Sequence, residues 1–112
     1  VEEILDYEEV DPAMAAKGDL FALRVKGDSM EPRIREGDVI ICAETPCVES
    51  GTVAVVLVNG NEATVKKVVK HKEGLSLVAF NPAYSPMFYT NEECETLPVR
   101  IVGRVIELRG KF

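Results

Sequence analysis

The sequence has few cysteines and histidines, the residues from which structural zinc sites are usually built. It contains three cysteines, Cys42, Cys47 and Cys94, with no C-x-x-C pair, and a single histidine, His71. Structural zinc sites usually draw their ligands from closely spaced pairs of such residues. We therefore expect no metal site and no bound cofactor. Cys42 ends an apolar run, which predicts a free thiol that packs as a small hydrophobe in a reducing, cytoplasmic setting.

Basic residues are fewer than acidic residues, and long apolar runs are scarce. Lysine and arginine number 13 against 19 aspartates and glutamates, so the formal net charge is −6. An acidic surface repels a phosphate backbone, which argues against direct nucleic-acid contact by this domain. The longest apolar runs, such as Val53–Val58, are far shorter than the roughly 18 to 20 residues that span a bilayer, so we expect no membrane segment.

The chain does have enough apolar material for a folded domain. Its 112 residues are 46% hydrophobic and 29% charged, which predicts one soluble globular domain with a single core. β-Branched residues cluster in short runs separated by Gly, Pro, Asn and Asp, so the predicted class is mainly β. The predicted strands are Ile4–Val10, Leu20–Lys26, Asp38–Ala43, Thr52–Val58, Glu62–His71, Leu75–Phe80, Met87–Tyr89 and Val99–Leu108.

Helix signals are sparse. An N-cap at Asp11 followed by proline predicts one helical turn over Pro12–Lys17, and Met30–Arg35 predicts another. Ile4–Val10 mixes acidic and apolar residues, which predicts an edge strand with a solvated face. Val99–Leu108 carries apolar residues on both faces, which predicts either a buried central strand or an interface.

The clearest turn signal is Asn59-Gly60, which suits a type I′ hairpin because both of its central residues need positive φ. A two-residue loop places Val53 opposite Lys66, and a four-residue loop keeps the same parity. The sequence therefore predicts that Lys66 shares a face of the hairpin with Val53.

Ser29 lies in the turn Gly27–Met30, just where the apolar run Phe21–Val25 ends. A hydroxyl at such a turn is flanked by main-chain N–H groups that the strand no longer uses, as an oxyanion site requires. Most serines in this setting only cap a turn, and a nucleophilic serine needs an adjacent base. The hydrophilic surroundings of His71 predict an exposed hairpin tip, so we expect no Ser-His-Asp triad.

Lysine can serve as the base where an apolar environment disfavours its charged form. Lys66 and Lys67 both lie within a run of small and β-branched residues, where lysine is unusual. An exposed face or an edge strand also explains either residue, and strand alternation does not choose between them.

Several segments carry motifs that occur together, in this order, in one group of proteins. They are Tyr7–Pro12, Phe21–Met30 followed by Pro32, Gly37–Ile41, Gly51–Val55, Glu62–Lys67, Asn81–Pro86 and Ile101–Ile106. Together they resemble the self-cleaving peptidase domain of LexA-type and phage CI-type repressors. The resemblance covers nearly the whole chain, and the ordered serine and lysine motifs are more specific than either motif alone.

This resemblance implies a Ser-Lys dyad in which Ser29 is the nucleophile and Lys66, not Lys67, is the general base. It also implies that the main-chain N–H groups of Asp28 and Ser29 hold the oxyanion. The implied fold is the β complex fold shared with bacterial signal peptidases, in which curved antiparallel sheets form a partial barrel with one or two short helical turns.

In such repressors the dyad cuts the protein's own chain at an Ala-Gly or Cys-Gly bond, when a RecA filament favours the cleavable conformation in the SOS response. The bond lies between a DNA-binding helix-turn-helix domain and the peptidase domain, which forms a homodimer through strands near its C terminus. This chain contains neither dipeptide. The resemblance therefore implies a remnant of the linker and the first strand in 1–19, and the peptidase and dimerisation domain in 20–112.

Three other classes of protein are alternatives to a self-cleaving repressor domain. A non-catalytic dimerisation module would leave the dyad idle, and a UmuD-like polymerase accessory factor would share the fold and the dyad. A lipase of the Gly-Asp-Ser type is excluded, because that class is a larger α/β fold with a later Asp-x-x-His, and no aspartate precedes His71 at that spacing.

Overall fold

The computed structural model describes residues 4–8, 19–60 and 62–110. Among these residues the mainly β prediction is confirmed, and every predicted strand is present with ends that differ by no more than two residues. The predicted turn over Pro12–Lys17 lies outside the described residues. The elements are β1 Ile4–Glu8, β2 Leu20–Val25, β3 Val39–Glu44, β4 Thr52–Val58, β5 Glu62–Lys70, β6 Gly74–Val78, β7 Met87–Thr90, α1 Asn91–Thr96 and β8 Val99–Arg109.

The strands form one open antiparallel sheet in the order β1-β2-β3-β8-β4-β5-β6-β7. Strand β1 is an outer strand, which confirms the predicted edge position. Strand β8 lies in the middle and joins β1–β3 to β4–β7 by pairing with both β3 and β4. Each of these two ladders contains a register shift, and such bulges bend a sheet and increase its twist. The two halves are therefore curved relative to each other.

The β4–β5 hairpin differs from the predicted register. Asn59 and Gly60 have positive φ, 57° and 77°, as expected, but Val58 pairs with Glu62. Three residues thus separate the paired positions, and an odd number reverses the parity. Lys66 lies opposite Ala54 and not opposite Val53, so that prediction is wrong. The Asn-Gly pair did not fix the register of the hairpin, because loops of different lengths place residues at positive φ.

The helix α1 was not predicted. Thr90 is its N-cap and accepts a hydrogen bond from the main-chain N–H of Glu93, while the Glu93 side chain accepts one from the N–H of Thr90. This reciprocal pair is a capping box, whose sequence signature is Ser or Thr followed three residues later by Glu or Gln. Thr90 and Glu93 therefore carried the signal that would have predicted a helix here.

Apolar side chains are buried on both faces of the central strands. Successive residues of a strand point to opposite faces, and in β4 Val55 belongs to one core cluster while Ala54 and Val56 belong to another. The first cluster is Leu23, Val25, Met30, Ile34, Ile40, Cys42, Val55 and Val65; the second is Val48, Ala54, Val56, Val68, Leu77 and Val99. The first cluster contains Met30, the residue next to Ser29, and so anchors the turn that carries this serine.

Candidate active site

Ser29 lies on the connection between β2 and β3, in a turn that is fixed at several points. The main-chain N–H of Gly27, whose φ is 91°, donates a hydrogen bond to the Glu36 carboxylate. The N–H of Ile34 donates to the carbonyl of Met30 at 2.9 Å, so Met30–Arg35 contains a hydrogen-bonded turn, but the predicted helical segment is not present there. With Met30 fully buried, Ser29 is held in place and is only 2% exposed.

Lys66 lies near the middle of β5 and is 5% exposed. Its Nζ donates hydrogen bonds to Ser29 Oγ at 2.8 Å, to Thr64 Oγ1 at 2.7 Å and to the Val65 carbonyl at 3.2 Å. Thr64 is itself 2% exposed and lies on the same face of β5 as Lys66, two residues away. The serine hydroxyl and the lysine amine predicted from the motifs therefore meet in a buried contact.

The order of strands in the sheet means that Ser29 and Lys66 could not meet if the sheet were flat. Strands β2 and β5 are separated by β3, β8 and β4, which would place them roughly 19 Å apart in a flat sheet. A lysine side chain cannot cross that distance. Ser29 and Lys66 meet because the sheet curves and the turn after β2 folds over towards β5.

The hydrogen bonds of Lys66 suit both protonation states of its amine. A charged amine has three N–H donors, which match the oxygens of Ser29, Thr64 and Val65. A neutral amine has two N–H donors and one lone pair. It can donate to Thr64 and Val65 while its lone pair accepts the hydroxyl proton of Ser29, which is the arrangement of a general base.

Lys67 does not join this contact. It pairs with Val53, whereas Lys66 pairs with Ala54, so the two lysines point to opposite faces of β5. Lys67 is half-buried. The burial of Lys66 and its hydrogen bond to Ser29 distinguish two neighbouring lysines that the sequence pattern left equivalent.

A second loop holds the turn of Ser29 from the other side. The main-chain N–H of Asn81 donates to the Ser29 carbonyl at 2.9 Å, and its side-chain amide donates to the Asp28 carbonyl at 3.0 Å. The hydroxyl of Tyr84 donates to the Asp28 carboxylate. Residue-by-residue reasoning gave Asn81 and Tyr84 no role, although an Asn-Pro pair is a turn signal.

His71, Cys42 and Cys94 are other chemically reactive side chains considered from the sequence. His71 is exposed, as predicted, and its Nε2 is 2.9 Å from Ser76 Oγ. Cys42 is buried, as predicted, and burial raises the pKa of its thiol to about 12. Burial, together with Glu93 and Glu95, also raises the pKa of the Cys94 thiol.

In residues 4–8, 19–60 and 62–110 no group of three or more His, Cys, Asp or Glu side chains is arranged to hold a metal ion. No helix in the same part of the chain has the length and apolar character to cross a membrane.

A buried serine hydroxyl bonded to a lysine amine on a curved antiparallel sheet suits a serine peptidase, and comparison with known proteins agrees. Residues 1–106 match the family described as Peptidase S24-like, so the chain belongs to this family. It is 42% identical over 111 residues to a LexA repressor of Syntrophobacter fumaroxidans (strain DSM 10017 / MPOB), a match that covers 98% of this chain and 51% of the relative. It is 36% identical over 96 residues to a LexA repressor of Ruegeria sp. (strain TM1040), covering 85% of this chain and 38% of that relative. The chain thus spans about half or less of the length of these relatives.

Proposed function

We propose that the chain is the C-terminal domain of a LexA-like repressor and that Ser29 and Lys66 are a dyad that cuts the repressor's own chain. The observation that carries this proposal is the 2.8 Å hydrogen bond between Lys66 Nζ and Ser29 Oγ, made by two groups that are almost completely buried. Membership of the peptidase family and the similarity to LexA repressors support it.

In the proposed reaction the neutral amine of Lys66 accepts the hydroxyl proton of Ser29 as Oγ attacks the carbonyl carbon of the scissile bond. The main-chain N–H groups of Asp28 and Ser29 hold the negative charge that develops on the carbonyl oxygen. The C–N bond then breaks, and the leaving nitrogen takes the proton from Lys66. Water releases the acyl group from Ser29 in a second attack with the same base.

The proposed substrate is a loop of the same polypeptide upstream of Val1, with an Ala-Gly or Cys-Gly bond as in the family that the chain resembles. A tethered loop gives the reaction a high effective concentration of substrate, which separate molecules lack. We therefore expect the chain alone to show weak or no turnover towards other proteins. We also propose that a RecA filament favours the cleavable conformation and that the reaction takes place in the cytoplasm.

The same domain would also hold the repressor as a homodimer. In the C-terminal half of β8, Ile106 is 39% exposed and Leu108 is 41% exposed. Large exposed apolar side chains on a central strand are typical of an interface, and a two-fold dimer suits a two-fold operator. Ile106→Glu is expected to convert a dimer to monomers in analytical ultracentrifugation, and a dimer of unchanged strength would place the interface elsewhere.

The test of the catalytic proposal joins the chain to the segment that precedes the matching region in the Syntrophobacter fumaroxidans relative. Self-cleavage of this chimera should quicken with rising pH, because only the neutral amine accepts a proton. Ser29→Ala and Lys66→Ala should abolish cleavage, and Lys67→Ala should not. A rate that does not change between roughly pH 6 and pH 10 would contradict a lysine base.

A further inference from the structure

The loop that begins at Asn81 contacts the two peptide units on either side of Ser29. The side-chain amide of Asn81 donates to the Asp28 carbonyl at 3.0 Å, and its main-chain N–H donates to the Ser29 carbonyl at 2.9 Å. One residue therefore holds two successive carbonyl groups at the proposed nucleophile. These contacts join parts of the chain that are 53 residues apart.

The orientation of the Asn81 side chain is fixed within its own loop. Its Oδ1 accepts a hydrogen bond from the main-chain N–H of Ala83 at 2.9 Å, so its Nδ2 is the end directed at the Asp28 carbonyl. The N–H of Tyr84 donates to the Asn81 carbonyl at 3.1 Å, which closes the loop into a turn. The amide thus reaches Asp28 from a turn that is itself hydrogen-bonded.

The peptide geometry links this contact to the proposed oxyanion site. The Asp28 carbonyl and the Ser29 N–H belong to the same planar peptide unit and, in a trans peptide, point in opposite directions. The Asp28 carbonyl accepts from the Asn81 side chain and also, at 3.1 Å, from the main-chain N–H of Glu31 within its own turn. These two donors together fix the carbonyl and with it the direction of the Ser29 N–H. It also polarises the unit, because hydrogen bonds in a chain strengthen one another by about 10–30% per bond.

We propose that Asn81 is a positioning residue for the oxyanion site: it orients and polarises the Ser29 N–H through the Asp28 carbonyl. This inference rests on the proposed function, because it assigns a role within the same site. The Tyr84 hydroxyl donates to the Asp28 carboxylate and so helps to hold the same turn.

The test uses the 112-residue chain and a fluorophosphonate reagent, which needs no peptide substrate. Ser29 Oγ attacks phosphorus, the P–F bond breaks, fluoride leaves, and the hydroxyl proton goes to Lys66. The phosphoryl oxygen gains negative charge during the attack and so depends on the oxyanion donors. Intact mass spectrometry measures the labelling rate across the pH range, with Ser29→Ala as the blank.

The variant is Asn81→Ser, which is neutral and can still form a side-chain turn to Ala83 but is too short to reach the Asp28 carbonyl. The matched control is Asn91→Ser, because the Asn91 side-chain amide also donates to a loop carbonyl, that of Lys72, at 2.9 Å. The labelling rate of Asn81→Ser should fall about tenfold, less than the roughly 10²–10³ lost with an oxyanion donor itself, because the Glu31 N–H still holds the Asp28 carbonyl. The Asn91→Ser rate and the midpoint of the pH profile should not change.

A second measurement separates orientation of the N–H from general loosening of the turn. In the Ser29→Cys background, iodoacetamide alkylates position 29 by displacement at a saturated carbon, a reaction that places no charge on an oxyanion oxygen. Asn81→Ser should leave this alkylation rate unchanged. Equal losses in labelling and alkylation, or a shifted pH midpoint, would refute the positioning role.

The two proposals fail in different ways. If the wild-type chain is labelled no faster than Ser29→Ala, the dyad proposal is wrong and the role of Asn81 is wrong with it. If the wild-type chain is labelled at Ser29 and Asn81→Ser reacts within about twofold of it, only the inference about Asn81 is wrong, since even a modest loss of oxyanion stabilisation exceeds that ratio.

Discussion

Replacing Lys66 with methionine removes the proposed base while keeping an unbranched, flexible side chain. Lys66 Nζ lies 2.8 Å from Ser29 Oγ, within the range of about 2.6–3.2 Å expected of a general base. General-base catalysis contributes about 10²–10⁴ in rate, or about 3–5.5 kcal/mol in activation free energy. Lys66→Met should therefore slow self-cleavage of the chimera by at least about a hundredfold. Lys67→Met is the matched control, since Lys67 lies on the opposite face of the same strand.

The effect on folding should be much smaller. Lys66→Met leaves the hydroxyls of Ser29 and Thr64 without the amine, and a buried hydroxyl without a partner costs about 1–3 kcal/mol. Against this, the variant no longer buries an amine that is 5% exposed, and replacing buried charged groups with apolar ones of similar volume is often neutral or stabilising. We expect a net change within about 2 kcal/mol, which is small beside a usual domain stability of about 5–15 kcal/mol.

The assay follows the rate of chimera self-cleavage at alkaline pH by gel densitometry and compares it with the free energy of unfolding from urea titration. A large loss of rate with little loss of stability assigns the base to Lys66. The reasoning is refuted if Lys67→Met slows cleavage more than Lys66→Met does. It is also refuted if Lys66→Met keeps more than about a tenth of the rate, because a general base accounts for more than that.

Four further predictions concern the scaffold. A Cβ at Gly103 would lie 2.7 Å from the Phe21 ring, so Gly103→Ala should lower the free energy of unfolding by about 1–3 kcal/mol through overpacking, and an unchanged urea midpoint would contradict this. Burial raises the pKa of Cys42 to about 12, so this thiol should resist dithionitrobenzoate at mildly alkaline pH while exposed Cys47 reacts, with the labelled peptides identified by mass spectrometry. The raised pKa also means that stability from Cys42, complete below the unfolded-state pKa, should decline as the pH rises from about 9 towards about 12, which urea titrations of wild type and Cys42→Ala would test. Thr90→Ala removes a helix N-cap and should cost about 1 kcal/mol by the same titration, whereas no loss would mean that the capping box contributes nothing.

The positions of the strands along the chain are visible in the sequence, because each strand leaves a local signal. Runs such as Val39–Glu44 and Thr52–Val58 combine β-branched residues with flanking turn residues, and that pattern does not depend on the rest of the chain. The apolar residues on both faces of β8 match its packing, since Ile101 packs against the second core cluster and Val102 and Val105 pack against the first. What these signals leave open is how far each loop extends, and the β4–β5 hairpin shows the consequence. One additional loop residue reverses which side chains share a face, so the prediction placed Lys66 opposite Val53 when the strand pairs it with Ala54.

The contact between Ser29 and Lys66 depends on information of a different kind. Neither residue's neighbours in the sequence specify that a turn after β2 should reach a strand four positions away in the sheet. That approach follows from the curvature imposed by the bulged ladders on either side of β8. A glycine inside a strand, such as Gly103, indicates a bulge or a close approach of another group, but not which of the two. The resemblance to a family could pair the serine motif with the lysine motif, because it rests on the order of motifs along nearly the whole chain. The role proposed for Asn81 needs more still: its amide acts on Ser29 only through the carbonyl of Asp28, and the direction of a peptide unit can be read from coordinates but not from spacing.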